Sequence, residues 1–366
     1  MSRTTVYMIR HAEAEGNLYR RIHGWYDSLL TEQGKKQVEL LRDRLLRDGV
    51  RFDAVYSSDL KRTMLTAQAA ADVSGLAVIP EKRLREVNLG EWEDLTWGDA
   101  EHLQPEQLSY FNRDPAKWDV PGSEVYADTQ SRMVSVVREL AKRHEGGVIA
   151  CGSHGAAIRV LCAYIMKVPS YMINTVHHSD NTGITELTVD NDTGEFKIVR
   201  LGDAGHLGGL TRFFRSKWMS SADGLDSHNL WFKFPEIDAD HREMSDVMGT
   251  EAYSRAETAL KEHPRAAAIA MCAGEPAGFI TLDITAGDGK VGVISDYVML
   301  PKYRGHCLSV QLMGHAVSVY RGLGRRALRI SVPDEYSKSV GYFEHFGFKT
   351  VGKENGTTVL EKDISV

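Results

Sequence analysis

The sequence predicts two α/β domains in tandem. The chain has 366 residues, long for one domain and natural for two. From residue 4 to about 205, short apolar runs alternate with amphipathic helical patterns, which predicts a layered domain with a mostly parallel sheet. From about residue 229 the order changes to several strand-like runs with antiparallel connections, flanked by helices.

In the first half, TTVYMI (4–9), AVYSS (54–58) and VIACGS (148–153) read as buried strands. Helical spacing places Val38, Leu41 and Leu45 on one face, with Thr31 as N-cap and Gly49 positioned to end the helix. A second helix, from about Asp128 to His144, buries Met133, Leu140 and either Val136 or Val137. A third follows His154 through Ile158, Val160, Leu161 and Ile165. Residues 207–228, rich in Gly and Ser, read as a linker. Its basic aromatic piece TRFFRSKW is too short to anchor on a membrane and is expected to dock on protein.

In the second half, LWFKF reads as a strand and the sequence is helical to about His263. AAAIAMC, AGFITLDI and VGVISDYVML follow as strands, with AGDGK a hairpin turn between the latter two. A helix over about 307–321 puts Leu308, Leu312, Ala316 and Val319 on one face; ALRISV is then a strand and SVGYFEHF a helix.

Composition excludes several classes of function. With 42% hydrophobic and 26% charged residues the chain can bury two cores and stay in solution. A formal net charge of −6 argues against a nucleic-acid partner. No apolar run approaches a membrane span, and MSRTTVYMIRH lacks the apolar core of a signal peptide. The cysteines Cys151, Cys162, Cys272 and Cys307 form no CxxC pair. A cytoplasmic location without membrane contact, structural disulfides or a zinc site is therefore expected.

Chemistry gathers at predicted strand ends, where ligands bind in open α/β sheets. Arg10 and His11 follow the first strand, His154 follows another, and Arg62 opens the helix after YSSDL. Two histidines and two arginines converging on one crevice suit a phosphoryl group, because arginine forks match its oxygens. The pair His177-His178 lacks helical spacing and nearby acids, and reads as plain loop. Trp92, Trp97 and Trp118 either wall a pocket or simply pack.

These motifs resemble the histidine phosphatase superfamily, which includes cofactor-dependent phosphoglycerate mutases. YMIRHAEAEGN is similar to the family's Arg-His-Gly-Glu opening, with Ala12 in place of glycine. GWYDSLLTEQGKKQ, YSSDLKRTMLTAQ, LREVNLGEWED, PGSEVYADTQSRM, SHGAAIRVL and DAGHL continue the series in the family's order. The resemblance implies a phosphoglycerate mutase-like three-layer α/β/α domain over residues 1–206. It implies His11 as the nucleophile, with Arg10, Arg62 and His154 holding the equatorial oxygens. It further implies Glu86 as the acid, which is expected to be partly desolvated, and Asn17 and His23 as phosphate donors. His23 stands where relatives often carry glutamine. No metal or cofactor is expected for this half. Mutases of the family carry a long basic insertion after the acid, whereas TWGDAEHLQPEQLSYFNRDPAKWDVPG is short and weakly basic. Hydrolysis is therefore favoured over mutase action, and this stretch is expected to cap the site.

VISDYVMLPKYRGHCLSVQLMGHA places a strand, a proline and a loop before a helix, whose first backbone N–H groups would suit a pyrophosphate. It resembles the coenzyme A loop of the GNAT acetyltransferases, and PDEYSKSVGYFEHFGFKTVG resembles their closing segment. The resemblance implies a GNAT-like mixed α/β domain over 229–366. Acetyl-CoA would then be held by Met299, Arg304, Gly305, His306, Cys307, Leu308 and Ser309. Cys307 and Ser309 replace small loop residues, and a Cβ at Cys307 opposes a positive φ. Phe343 stands where relatives carry a proton-donating tyrosine, with Tyr342 beside it, and Tyr336 replaces a common asparagine. Glu335, Asp296 and His306 are the candidate bases.

The expected whole is a phosphatase acting on a small phosphorylated metabolite, fused to an acetyl-CoA-dependent N-acetyltransferase. Two alternatives stay open: a second domain that only binds coenzyme A or builds a homo-oligomer, and a phosphoglycerate mutase-like enzyme.

Overall fold

The structure is a computed structural model that describes residues 2–208, 210 and 228–366. The segment TRFFRSKW lies outside the described residues. Residues 2–14, 22–93 and 103–208 form one compact unit; residues 15–21, 94–102 and 228–366 form a second.

From the N-terminus the elements run β1 (Arg3–Arg10), α1 (Glu15–Leu18), α2 (Glu32–Arg47), β2 (Ala54–Ser57), α3 (Lys61–Ser74) and β3 (Val78–Pro80). Then come α4 (Trp97–Leu103), α5 (Pro105–Arg113), α6 (Tyr126–Arg143), β4 (Val148–Ser153), α7 (Gly155–Ile165), β5 (Ile184–Asp190) and β6 (Phe196–Asp203). The first unit holds a sheet of order β3-β2-β4-β1-β5-β6. Its first four strands are parallel, and β5 and β6 run antiparallel at one edge. The parallel order brings the carboxyl ends of β1, β4 and β2 side by side.

Helices α2 and α3 pack on this sheet through Leu41, Leu45, Ala67 and Ala70, against Ile9, Val55 and Ala150. The alanine-rich face of α3 lets the helix lie close to the strands. As the sequence predicts, Thr31 caps α2: its Oγ accepts from Gly34 N–H at 2.9 Å. Gly49, with φ +67°, follows the helix end. Helix α6 starts at Tyr126, two residues before the expected start, and buries both Val136 and Val137.

The second unit continues with β7 (Trp231–Lys233), α8 (Ile237–Met248), α9 (Thr250–Glu262), β8 (Ala267–Cys272), β9 (Glu275–Asp283) and β10 (Val291–Met299). It closes with α10 (Val310–Gly322), β11 (Ala327–Pro333), α11 (Val340–His345), β12 (Lys349–Glu354) and β13 (Thr357–Asp363). Its sheet has the order β12-β13-β11-β10-β9-β8-β7, and only β10 and β11 are parallel. The helical stretch expected to reach His263 is two helices, broken at Gly249 with φ +76°. The expected hairpin joins β9 to β10.

One expectation fails in an informative way. The helix predicted from residue 307 begins at Val310, because Gly305 and Cys307 adopt φ of +83° and +55°, outside any right-handed helix. Leu308 is buried in the loop rather than on the helix, and α10 buries every residue from Val310 to Tyr320 instead of one face. Among the described residues, no helix is long and apolar enough to cross a membrane.

Thr31 also donates to Glu13 Oε1 at 2.6 Å, so it joins the start of α2 to the loop after β1. Thr31→Ala should cost about 1–2 kcal/mol, the range for losing an N-cap, measured as a shift of the urea unfolding midpoint.

Candidate active site

The strand ends deliver the side chains. Arg10 is the last residue of β1 and pairs in register with Ser153 of β4. His11 and His154 follow these strands directly, and the His11 N–H donates to Ser153 O at 3.0 Å. Arg62 lies in the first turn of α3, just beyond β2. The His11 ring centroid is 5.3 Å from that of His154 and 5.5 Å from that of His23.

Hydrogen bonds fix the state of each ring. His11 Nδ1 lies 2.7 Å from Ala12 O, an acceptor only, so Nδ1 carries the proton and Nε2 the lone pair. Burial, with Arg62, Arg10 and His23 adding to it, holds His11 well below the usual histidine range. A neutral imidazole with a free Nε2 lone pair is a competent nucleophile. His154 is fully buried. Its Nδ1 is 3.3 Å from Arg62 Nη2, a donor only, so Nδ1 accepts and Nε2–H faces Ser58 Oγ at 2.9 Å and Thr63 Oγ at 3.2 Å. Burial and Arg62 also hold His154 well below its usual range. His23 behaves alike, and its Nδ1 is 3.1 Å from Ser28 Oγ.

The two arginines are held by carbonyls. Arg62 donates to Tyr26 O at 3.0 Å, His23 O at 2.8 Å and Gly24 O at 2.7 Å. Arg10 donates to Ser179 O at 2.5 Å and lies 3.3 Å from His178 Nδ1. Burial pulls both guanidinium groups down to about 10, so they stay cationic at neutral pH. The Nε–H of each is buried and has no acceptor among the described residues. A buried donor without an acceptor is costly, and a phosphoryl oxygen satisfies it.

Glu86 is partly buried, as expected. Its carboxylate accepts from Ala157 N–H at 2.8 Å, Ala156 N–H at 3.0 Å and Val87 N–H at 3.0 Å. It thus sits at the N-terminus of α7.

Arg10, His11, His23, Arg62, Glu86 and His154 all belong to the first unit, whereas Asn17 lies on α1 in the second. Sequence reasoning missed Ser58 and Thr63, the hydroxyl partners of His154, and Asn181, whose Nδ2 donates to His11 O at 2.9 Å. The loop residue His178 reaches Arg10, so the plain loop of the sequence reading borders the site. Trp92 and Trp118 are buried in a cluster with Phe111 and Tyr126, which is packing rather than an open wall. Among the described residues, no group of three or more His, Cys, Asp or Glu could hold a metal ion.

In the second unit, β10 pairs with β11 only from Val291 to Ile294, so the strands part over the remainder of β10. The loop after β10 is pinned by Arg304 Nε donating to Met299 O at 2.8 Å. Cys307 is exposed, and its backbone takes a left-handed conformation despite the Cβ, so the loop keeps a glycine-like course. Tyr342 OH lies 2.8 Å from Ser309 Oγ and 3.0 Å from Tyr297 OH. Phe343 is buried in the core, and Tyr336 is exposed. Asp296 is locked by Arg255 in two hydrogen bonds, of 2.7 and 3.1 Å, which removes it from the candidate bases.

Residues 6–203 match the family model of the histidine phosphatase superfamily (branch 1), and the chain belongs to that superfamily. Residues 228–348 match the model of the acetyltransferase (GNAT) family. Phosphoserine phosphatase 1 of Hydrogenobacter thermophilus is 35% identical over 161 residues, which is 44% of this chain and 75% of that protein. Phosphoglycerate mutase-like protein 4 of Arabidopsis thaliana is 31% identical over 204 residues, 55% of this chain and 86% of the relative. Among solved structures, Bacillus stearothermophilus YhfR superposes with a TM-score of 0.53 at 30% identity, covering 56% of this chain and 99% of YhfR.

The depressed histidines tie stability to pH. His11 and His154 are neutral when folded, but each takes up a proton near about pH 6.5 when unfolded. Below that pH the unfolded state binds more protons, so stability falls as pH falls, by about 1.4 kcal/mol per pH unit for each ring. Urea unfolding at pH 7.5 and 5.5 should show this loss; equal midpoints would contradict neutral, buried rings.

Proposed function

We propose that the first unit hydrolyses a small phosphomonoester through a phosphohistidine on His11, with phosphoserine as the first substrate to test. The observation that carries this reading is the neutral His11, with its Nε2 lone pair, beside two buried guanidinium Nε–H donors that lack acceptors. The name of the Hydrogenobacter thermophilus relative supports phosphoserine as the starting point.

His11 Nε2 attacks phosphorus while the ester P–O bond breaks, and Glu86, in its acid form, gives its proton to the departing oxygen. Arg10 and Arg62 offer donors to the equatorial oxygens, where charge spreads in the transition state. Water then attacks the phosphohistidine, its proton passes to Glu86, and the N–P bond breaks to return neutral His11. His11→Ala should abolish phosphate release in a protein that stays folded by circular dichroism. Glu86→Gln should slow alkyl phosphates far more than p-nitrophenyl phosphate, whose leaving group needs no proton; equal losses would argue against Glu86 as the acid. Free phosphate as the product, rather than an isomeric ester, separates hydrolysis from mutase action.

For the second unit we propose acetyl transfer from acetyl-CoA to an amine. Several features fit the coenzyme: β10 and β11 part after Ile294, the loop turns through positive φ at Gly305 and Cys307, and Tyr342 meets that loop at Ser309. Main-chain N–H groups of that loop would hold the pyrophosphate. Acetyl-CoA, when bound, supplies the acetyl thioester. Burial pushes the Tyr342 hydroxyl up to about 12, so it keeps its proton at neutral pH and can give it to a leaving thiolate. It takes the role that the sequence assigns to the position of Phe343. Calorimetry of the full-length protein should show micromolar acetyl-CoA binding. Absence of binding would leave the second unit as a structural or assembly module.

A further inference from the structure

The strongest unexplained charge in the first unit is Arg159. It lies on α7, shortly after Ala156 and Ala157, whose N–H groups hold Glu86. Its Nε and Nη2 donate to Val176 O at 3.2 and 3.1 Å, and Nη2 also reaches Ile173 O at 2.7 Å and Asn174 Oδ1 at 3.4 Å. Asn174 in turn donates to Phe111 O at 3.3 Å and Asn112 O at 2.8 Å, so Arg159 is braced through the loop to α5. It makes no ion pair among the described residues, and its Nη1 has no hydrogen bond there.

Arg159 lies three residues on from Ala156 and so on the same face of α7, next to the carboxylate that the Ala156 N–H holds. Its charge acts on Glu86, Tyr126 and Arg10. Among the described residues Glu86 is the one carboxylate acting on it, and that carboxylate is engaged by three backbone N–H groups. A partly buried guanidinium that forms no ion pair is an expensive feature unless an anion completes it. The phosphoryl group is served by Arg10, Arg62 and the histidines. The leaving group departs on the side of Glu86, which is also the side of Arg159.

We propose that Arg159 is a specificity-determining residue that binds a carboxylate on the leaving group, so that the substrate is a phosphorylated small carboxylic acid. This rests on the phosphatase reading. A carboxylate would accept from Arg159 Nη1, and the braced side chain would lose little freedom on binding. Charge-assisted hydrogen bonds of this kind are worth about 1.5–3 kcal/mol, or roughly 10- to 150-fold in kcat/KM.

The test uses matched esters and the full-length protein. Phosphoserine and phosphoethanolamine differ only by a carboxylate; 3-phosphoglycerate and glycerol 3-phosphate form a second pair. The wild type should prefer the carboxylate-bearing ester of at least one pair. Arg159→Met should cut that preference by roughly 10- to 100-fold, chiefly through KM, and Arg159→Lys should restore part of it. An equal loss for both members of a pair would assign Arg159 to loop support and overturn the proposal, as would a wild type with no preference in either pair. Release of phosphate from p-nitrophenyl phosphate separates the two readings. If it occurs without carboxylate preference, only the specificity proposal falls; if no ester is hydrolysed, the phosphatase reading falls with it.

Discussion

Arg62 is a buried cation whose nearest acid is not in contact. Asp27 Oδ1 stands 4.0 Å from its Nη1, and the guanidinium instead rests on the carbonyls of His23, Gly24 and Tyr26. Dipoles can hold a charge in place without cancelling it. Burial keeps His11, His23 and His154 neutral, and the field that escapes from Arg62 adds to it, so the crevice holds a cation beside uncharged rings. An acid in contact with Arg62 would weaken this effect. Much of the local chain course follows from the same need, since the loop around residues 23–26 turns its carbonyls inward to receive the guanidinium.

The parallel order of β2, β4 and β1 is the second requirement. Successive strand ends emerge on one edge of the sheet, so residues far apart in sequence meet without long loops. Glu86 joins them by another route, its carboxylate set against the first N–H groups of α7. One helix terminus thereby orients Glu86, while the residue before that helix, His154, meets Arg62.

Legibility in the sequence tracked how local each signal is. His11, Arg10, Arg62 and His154 could be placed because each follows an apolar run that reads as a strand. The Thr31 cap and the Gly49 stop are local too, and both hold. Strand β12 gives no such signal, because most of its residues are exposed and it lies at a sheet edge. Ser58 and Thr63 reach His154 only because β2 pairs with β4, a contact no short window contains. The late start of α10 was hidden for a different reason. Cysteine at a left-handed position contradicts residue preference, and the loop's course overrides it. Both Val136 and Val137 are buried because α6 is covered more broadly than a single stripe of side chains requires.

Cys307 has a practical meaning beyond its backbone. Cys151, Cys162 and Cys272 are buried, and burial pushes the first two thiols up to about 12. Cys307 alone is exposed. A thiol-directed fluorophore therefore has one accessible address in the native protein, on the turn after β10. The same exposure makes non-reducing storage a route to covalently linked dimers, whose appearance on a gel would reflect handling rather than biological assembly.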